Sequence, residues 1–497
     1  MNYKEILDKI KSNFESRTGL IGLEHNDIVK GKKTIRIIHV SHPTERLYDA
    51  LNNCIKDFDV EDEIHVTLKS KSSKSIVNSA EAKLLLKVLS ESQNINQHSF
   101  ESDFFDRYTR SVTGAESQIV SSANHIVTGR RGAGKSMLLL YSLKSRQKDD
   151  MPNAWIDMQA YSGRDDEQAV ADVLTEILYA IDFPPDSYAD ILSIRHRFEA
   201  GDVSVKEIRK HVPKLRRIFA EVSLKKEIFV YLDDLHVFNR KMQYILLDVL
   251  YSIFRGNKVY IKASAIETLL DPYNSREKMG MQIPQDAQRL GLDYNLTTPD
   301  KAATHIESIL DSHARYAAIP SIRRLSSSAD VLPRLTWVSA GVPRDAINLF
   351  AQSMLKASAG GKGRVTVSNV NMAASENLSI KLKDLQSDAS SEADALSSRL
   401  EAIRNFCITE NKSNAFLLEI NQNSAAFKEA LKLVELRLLH VISEGITPKE
   451  AGTKFMALML DYGLYTGIRA AANVELFNKD AASVAYKELR KLKIYRY

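Results

Sequence analysis

The pattern of apolar and polar positions divides the chain into stretches of different character. In residues 1–95, "TIRIIHV" (34–40) and "EIHVTL" (63–68) have the β-branched alternation of strands. Between them "TERLYDALNNCIKDF" repeats apolar residues at helical spacing, and "SAEAKLLLKVLSES" does so again after the loop-like "KSKSSKS" (69–75). This predicts a small N-terminal α/β domain. No motif in it carries chemistry.

From 100 to 298 the pattern changes. Short, continuous apolar runs ("HIVTG", "AWIDM", "IFVYLDD", "VYIKASA" and a weaker "LGLDYNL") alternate with longer helical stretches. Buried runs separated by helices predict an α/β fold with a parallel sheet covered by helices on both faces. Residues 299–385 read as helical throughout. The Ser/Asp/Ala-rich "LQSDASSEADALSSR" (385–399) marks a boundary, and 386–497 is predicted to be a further, mainly helical domain.

Bulk properties change this picture only a little. A chain of 497 residues is too long for one ordinary core and predicts two to four domains. With 68 basic and 63 acidic residues, the net charge of +5 permits an acidic partner such as DNA without demanding one. Cys54 and Cys407 are far apart and form neither a metal-ligand spacing nor a disulfide framework, which suits a reducing cytosol. The opening "MNYKEILDKIKSNFESR" lacks the apolar core of a signal peptide, and no run of about 18 apolar residues predicts a membrane span. The expectation is a soluble cytoplasmic protein without a membrane partner.

The chemistry is concentrated in "VTGRRGAGKSMLLL" (127–140). Gly129, Arg130, Arg131, Gly132, Ala133, Gly134, Lys135 and Ser136 match G-x-x-x-x-G-K-[ST] in full. The glycines let consecutive backbone N–H groups turn inward on a phosphate. Lys135 would reach the β- and γ-phosphates, and Ser136 would hold Mg²⁺. A strand-like "HIV" before the loop and a helical "SMLLLYSLKSRQ" after it place the anion at a helix N-terminus.

A nucleotide site of this kind needs a second strand ending in a carboxylate. "KEIFVYLDDLHVF" supplies it: Ile228 to Leu232 are apolar, Asp233 would bind Mg²⁺ and Asp234 would orient the attacking water. Many hydrolysing enzymes place glutamate second, so the shorter Asp234 points to slow hydrolysis or to a switch worked by ATP binding. The next strand, "VYIKASAIETLL", offers Ser264 as a sensor of the γ-phosphate, with Lys262 as its competitor.

Further on, "LTWVSAGVPRDAINLFAQSMLKASAGGKGRVTVSNVNMAA" (335–374) resembles the lid of origin-recognition-complex-type AAA+ ATPases. Ser339, Gly341, Pro343 and Arg344 match that family's S-x-G-x-P-R element, and Val365, Thr366 and Val370 its V-T-x-x-x-V segment. Pro343 suits the first turn of a helix, where its missing N–H costs nothing. The resemblance covers roughly residues 100–375. It implies ATP as the nucleotide, a sheet ordered 5-1-4-3-2, a helical lid whose Arg344 is the sensor-2 arginine, and nucleotide-driven assembly with copies of itself or a partner ATPase. It also implies an arginine donated by a neighbouring subunit, for which Arg276 in "PYNSREKMG" and Arg289 in "DAQRLGL" both lie in the right interval.

Members of that family usually carry a winged-helix DNA-binding domain after the lid. Residues 427–469 here fit a helix–turn–helix: a first helix to about Ser443, Gly445 as its C-cap, and Thr447-Pro448-Lys449-Glu450 as a capping box for the second. "YKELRKLKIYRY" (486–497) adds a basic, aromatic tail, and "KEIRKHVPKLRRIF" (206–219) is a second basic stretch. The second helix so placed is poor in base-reading side chains. Two functions fit. One is an AAA+ ATPase whose Mg-ATP binding and hydrolysis controls assembly on double-stranded DNA or on a partner protein. The other is a STAND-like signalling or anti-phage defence switch that binds an effector protein.

Overall fold

The computed structural model describes residues 3–496 except 32, 59–63, 72–74, 293–295, 297, 389–392, 449–452, 466–473, 478–480 and 483. The chain divides into two units, one of residues 1–94, 105–109 and 294–497, the other of residues 95–104 and 110–293.

The first unit begins with a helix, Tyr3–Thr18, and a three-stranded sheet of His25–Lys30 (β1), Lys33–Val40 (β2) and Ile64–Ser70 (β3). β1 and β2 are antiparallel, whereas β2 and β3 are parallel and joined through the helix Glu45–Lys56, which Thr44 caps. The two strands and two helices expected in this segment are all present. β1 was not expected: its six positions are all exposed, so "HNDIVK" shows no alternation. It is held by β2, where the buried Arg36 donates from Nε and Nη2 to the two carboxylate oxygens of Asp27, 2.7 Å each, and from Nη1 to Asp8 at 2.6 Å.

In the second unit His125–Thr128 (β4), Asn153–Asp157 (β5), Ile228–Asp233 (β6), Val259–Ala265 (β7) and Gln288–Gly291 (β10) form one parallel sheet in the order β10-β4-β7-β6-β5, with Tyr273–Asn274 (β8) and Met279–Gly280 (β9) making a small hairpin before β10. Counted along this sheet alone, that is the order 5-1-4-3-2. Every residue of β4 and β6 is buried, which is why these runs are apolar without alternation. The helices Lys135–Gln147, Gln168–Ala180, Val205–Lys225 and Arg240–Phe254 carry the covering apolar residues, and Pro213 is accommodated inside the third of them.

The first unit resumes with helices Pro299–Tyr316, Val331–Val338, Pro343–Ala359 and Val367–Asp388, as the helical pattern predicts. Pro343 stands at the first helical position, with Val342 extended before it. Leu85 and Leu89 of the N-terminal segment share one apolar core with Trp337 and Phe350.

The expected helix–turn–helix is not formed. After helix Ala393–Asn405 and strand Ala415–Glu419 (β11), helix Ala425–Glu435 stops well short of Ser443. Arg437 then takes a left-handed φ of 60°, and the chain enters Leu439–Ile446 (β12) and Phe455–Leu460 (β13), giving an antiparallel sheet in the order β11-β13-β12. "FMALML" is therefore the central strand, buried at all six positions, and a strand so enclosed has no period to distinguish it from a buried helix. Gly445, at φ 88°, sits in a register shift of β12 instead of capping a helix. Lys449 and Glu450 of the expected capping box lie outside the described residues. The C-terminal tail is partly internal: Tyr495 is buried against Phe406 and Phe416, and its backbone N–H donates to Leu417 O at 2.8 Å.

Cys54 and Cys407 are both buried and unpaired. Among the described residues no helix is long and apolar enough to cross a membrane.

Candidate functional site

β4 ends at Thr128, and the chain curls through residues 129–134 before the helix Lys135–Gln147 begins. Gly132 and Gly134 have φ of 83° and 97°, a region other residues enter only under strain. A Cβ on Gly134 would meet nothing within 4 Å, so this position requires glycine for its backbone conformation and not for room. Lys135 is buried and folds back over the loop, donating from Nζ to the carbonyl oxygens of Gly129 and Arg130, 3.1 Å each.

Three sequence elements meet at one oxygen. Ser136 Oγ donates to Asp233 Oδ1 at 3.0 Å, and Ser264 Oγ donates to the same oxygen at 2.6 Å. Ser264 Oγ in turn accepts from the backbone N–H of Asp234 at 2.8 Å. Burial pushes the Asp233 carboxyl up to about 6, helped by the charges of Asp234 and Asp157 and opposed by the two serine hydroxyls. A buried carboxylate next to a hydroxyl, with its negative charge incompletely compensated, is a donor set that fits a hard divalent cation. Mg²⁺ commonly takes one or two such protein ligands and completes its shell with phosphate and water.

Asp234 follows in the left-handed region, φ 61°, so its side chain leaves the strand direction. Its Oδ2 accepts from Gln159 Nε2 at 3.1 Å, and its Oδ1 lies 3.8 Å from His236 Nδ1. Burial holds the His236 imidazole down to about 4, with Asp234 opposing and Lys135 and Arg131 adding to the effect. Neither Gln159 nor His236 was picked out from sequence. The signal available was slight: Gln159 stands just past the second strand, and His236 two residues past the acidic pair.

Of the two candidates on β7, Ser264 stands at this centre and Lys262 does not. Lys262 is fully buried at the other end of β4, where Nζ donates to Ser121 O and Ala123 O at 2.7 Å each and lies 3.0 Å from His125 Nδ1. Burial, with Arg146 nearby, pulls its ammonium down to about 6. Arg289 is held at the sheet edge by Thr128 Oγ1, at 3.2 Å, and by an ion pair with Glu267. Arg276 is exposed in the turn between β8 and β9, where only its backbone N–H is engaged, by Asn274 Oδ1 at 2.9 Å. Arg344, in the other unit, is the second residue of helix Pro343–Ala359 and donates from Nη2 to Gln93 O at 2.8 Å.

No protein-family model matches the sequence, and no curated protein matches it. Solved structures with similarity to the chain include Aeropyrum pernix ORC2 in ADPNP–ADP complexes, at 16% identity over 75% of this chain and 95% of that one, with a TM-score of 0.35. Another is Drosophila ORC bound to DNA, at 14% identity over 84% and 96%, TM-score 0.37. The Thermotoga maritima RuvB Holliday junction branch migration motor is similar at 13% identity over 57% and 78%, TM-score 0.31. The strand order, not these likenesses, carries the fold: a parallel sheet ordered 5-1-4-3-2 behind a glycine-rich loop at the end of its central strand is the AAA+ arrangement that the sequence resemblance implies.

Proposed function

We propose that the protein is a Mg-ATP-dependent AAA+ ATPase whose nucleotide state controls its assembly on double-stranded DNA or on a partner protein. The observation that carries this reading is the shared oxygen of Asp233, which ties the loop's Ser136 to the sensor-strand Ser264. In this reading residues 129–136 cradle the phosphates, with Lys135 leaving its loop carbonyls for the β- and γ-phosphates, and Ser136 and Asp233 hold Mg²⁺. The metal supplies charge neutralisation of the phosphates. Asp234 orients the attacking water, and the Gln159 amide fixes the carboxylate by its other oxygen. Ser264 reports the occupied site to Asp234 through the backbone hydrogen bond it accepts.

Arg344 is the sensor-2 arginine in this proposal. Arg276 is the arginine offered to a neighbouring copy, because its guanidinium is exposed whereas that of Arg289 is committed to Thr128 and Glu267. An arginine acting in trans on a phosphoryl transfer is worth about 10³–10⁵ in rate. The test is steady-state ATP turnover with and without double-stranded DNA, beside Lys135→Ala, Asp234→Asn and Arg276→Ala, with the molecular mass followed by light scattering in ATP and in ADP. Turnover lost in all three variants, with a mass that depends on nucleotide, supports the proposal. Equal turnover in wild type and Lys135→Ala removes it. ATP retained without turnover, whatever DNA is added, favours the effector-binding switch.

A further inference from the structure

His236 has no task in the reading above, and its placement is unusual. It lies in the short turn Leu235–Val237 directly after Asp234, and its side chain is 8% exposed. Nδ1 is enclosed and has no hydrogen-bond partner among the described residues, although Asp234 Oδ1 is 3.8 Å away. A buried, unpaired imidazole nitrogen costs free energy, so its retention beside a carboxylate calls for a reason. The same ring lines a cleft of about 540 Å³ whose walls include Arg164, Asp165, Asn239, Arg240 and Gln243. Nδ1 alone of the two ring nitrogens is enclosed, so Nε2 is the edge that faces outward.

The chemistry of the proposed reaction creates a need at this point. When water attacks the γ-phosphorus, its oxygen forms the new P–O bond and the β–γ bridging P–O bond breaks, its electron pair leaving with ADP. The water proton passes to Asp234, and a carboxylate loaded in this way must discharge before the next turnover. Its other printed contacts cannot accept a proton: the Gln159 amide and the Asp234 backbone N–H are both donors there.

We propose that His236 is a positioning residue that relays this proton, receiving it from Asp234 Oδ1 at Nδ1 and releasing one from Nε2 into the cleft. The inference rests on the hydrolytic reading of the site. The relay needs the tautomer with hydrogen on Nε2 and a closure of about 1 Å to hydrogen-bonding distance, the kind of tightening that substrate binding commonly brings. The charged groups facing the ring are Asp234 beside it, Lys135 and Arg131 of the phosphate loop, and Arg164, Asp165 and Arg240 around the cleft. Arg164 is already paired with Asp166 and Asp172. Burial and the two loop cations keep the imidazole unprotonated at neutral pH, which leaves Nδ1 with a free lone pair and makes a proton taken there easy to pass on.

The test uses the full chain with His236→Ala and His236→Gln, measuring ATP affinity, kcat, KM and the effect of added imidazole. The expected result is a kcat lowered about 10- to 100-fold in both variants, within the span usual for acid–base assistance, with KM and ATP affinity within about twofold of wild type. Imidazole, entering by the cleft, restores turnover to His236→Ala and not to His236→Gln, whose side chain fills the place. Wild-type kcat in His236→Ala overturns the relay while leaving hydrolysis intact, and so does a loss that imidazole fails to restore. A wild-type protein that binds ATP without turnover overturns the hydrolytic reading itself, and the relay with it.

Discussion

Asp233 is held in a state that its proposed ligand would relieve, and this can be measured without any nucleotide. Its carboxyl is moved from the ordinary 3.8 to about 6, because burial and the neighbouring acids Asp234 and Asp157 outweigh the hydroxyls of Ser264 and Ser136. The folded chain therefore holds a proton there that the unfolded chain releases. Below pH 3.8 both forms are protonated and the group is neutral for stability. Between 3.8 and about 6 stability falls as pH rises, and above 6 the full burden of about 3 kcal/mol is present. Asp233→Asn removes the titration. It also changes the hydrogen bonds by a fixed amount, so the informative quantity is how the difference between variant and wild type varies with pH. From pH 4.5 to 7.5 that difference should move by about 2 kcal/mol in favour of Asn.

A chain of two units is unsuited to a single unfolding free energy, so the assay is hydrogen exchange over residues 228–235, comparing both proteins at each pH so that intrinsic rates cancel. About 2 kcal/mol corresponds to about a 30-fold gain in relative protection of the variant. Saturating Mg-ATP should then protect the wild type strongly and the variant little. A difference that does not change with pH would refute the account of a charge-burdened carboxylate. Equal protection of both proteins by Mg-ATP would refute Asp233 as a ligand.

Three further outcomes follow from the same physics. Gly134→Ala places a Cβ in open space but at φ 97°, so it should strain the loop by about 1–2 kcal/mol and weaken ATP binding about tenfold, read by titration calorimetry. Lys262→Met should raise the thermal midpoint more at pH 7 than at pH 9.5. Lys262 is depressed from 10.5 to about 6, so wild-type stability rises with pH across that window and the gap should narrow by about 2–3 kcal/mol. In the first unit, Asp461 accepts from Lys381 Nζ at 2.7 Å and lies 2.9 Å from His440 Nε2, and the ammonium and imidazole hold its carboxyl far below the usual range against the effect of burial. Asp461→Asn leaves the buried Lys381 uncompensated and should cost about 3–5 kcal/mol in protection of β12 and β13, much of it recovered by adding Lys381→Met. In wild type that stability is present above about pH 4 and lost on acidification below it.

The parts of the fold that were legible in the sequence are those whose chemistry is local. Loop, flanking strand and following helix are contiguous, and the glycines announce the left-handed positions at 132 and 134. The acidic pair is legible because carboxylates seldom end a wholly buried run without a task. Gln159 and His236 were not legible. Gln159 is 75 residues from the carboxylate it holds, and a histidine two positions after the acids could as well have been an ordinary core residue. The C-terminal sheet was misread for the opposite reason. β13 lies between two neighbours and is buried throughout, so the alternation that marks a strand is erased by the burial that makes it central.

Ser264 and Lys262 show what kind of information is missing in such cases. They are two apart on β7 and so project to the same face, and periodicity alone can do no better than name both. What separates them is height. Lys262 pairs with His125, the first residue of β4, and Ser264 with Val127, next to the residue from which the phosphate loop departs. That difference of two residues, about 6–7 Å along a strand, carries one side chain to the carbonyls of Ser121 and Ala123 and the other to Asp233. Alternation reports the face of a sheet, and only pairing reports the depth along it. In a parallel sheet whose ligand sits beyond the carboxyl ends of its strands, the last polar residue on the correct face is therefore the one to choose, and applied to "VYIKASA" that rule selects Ser264.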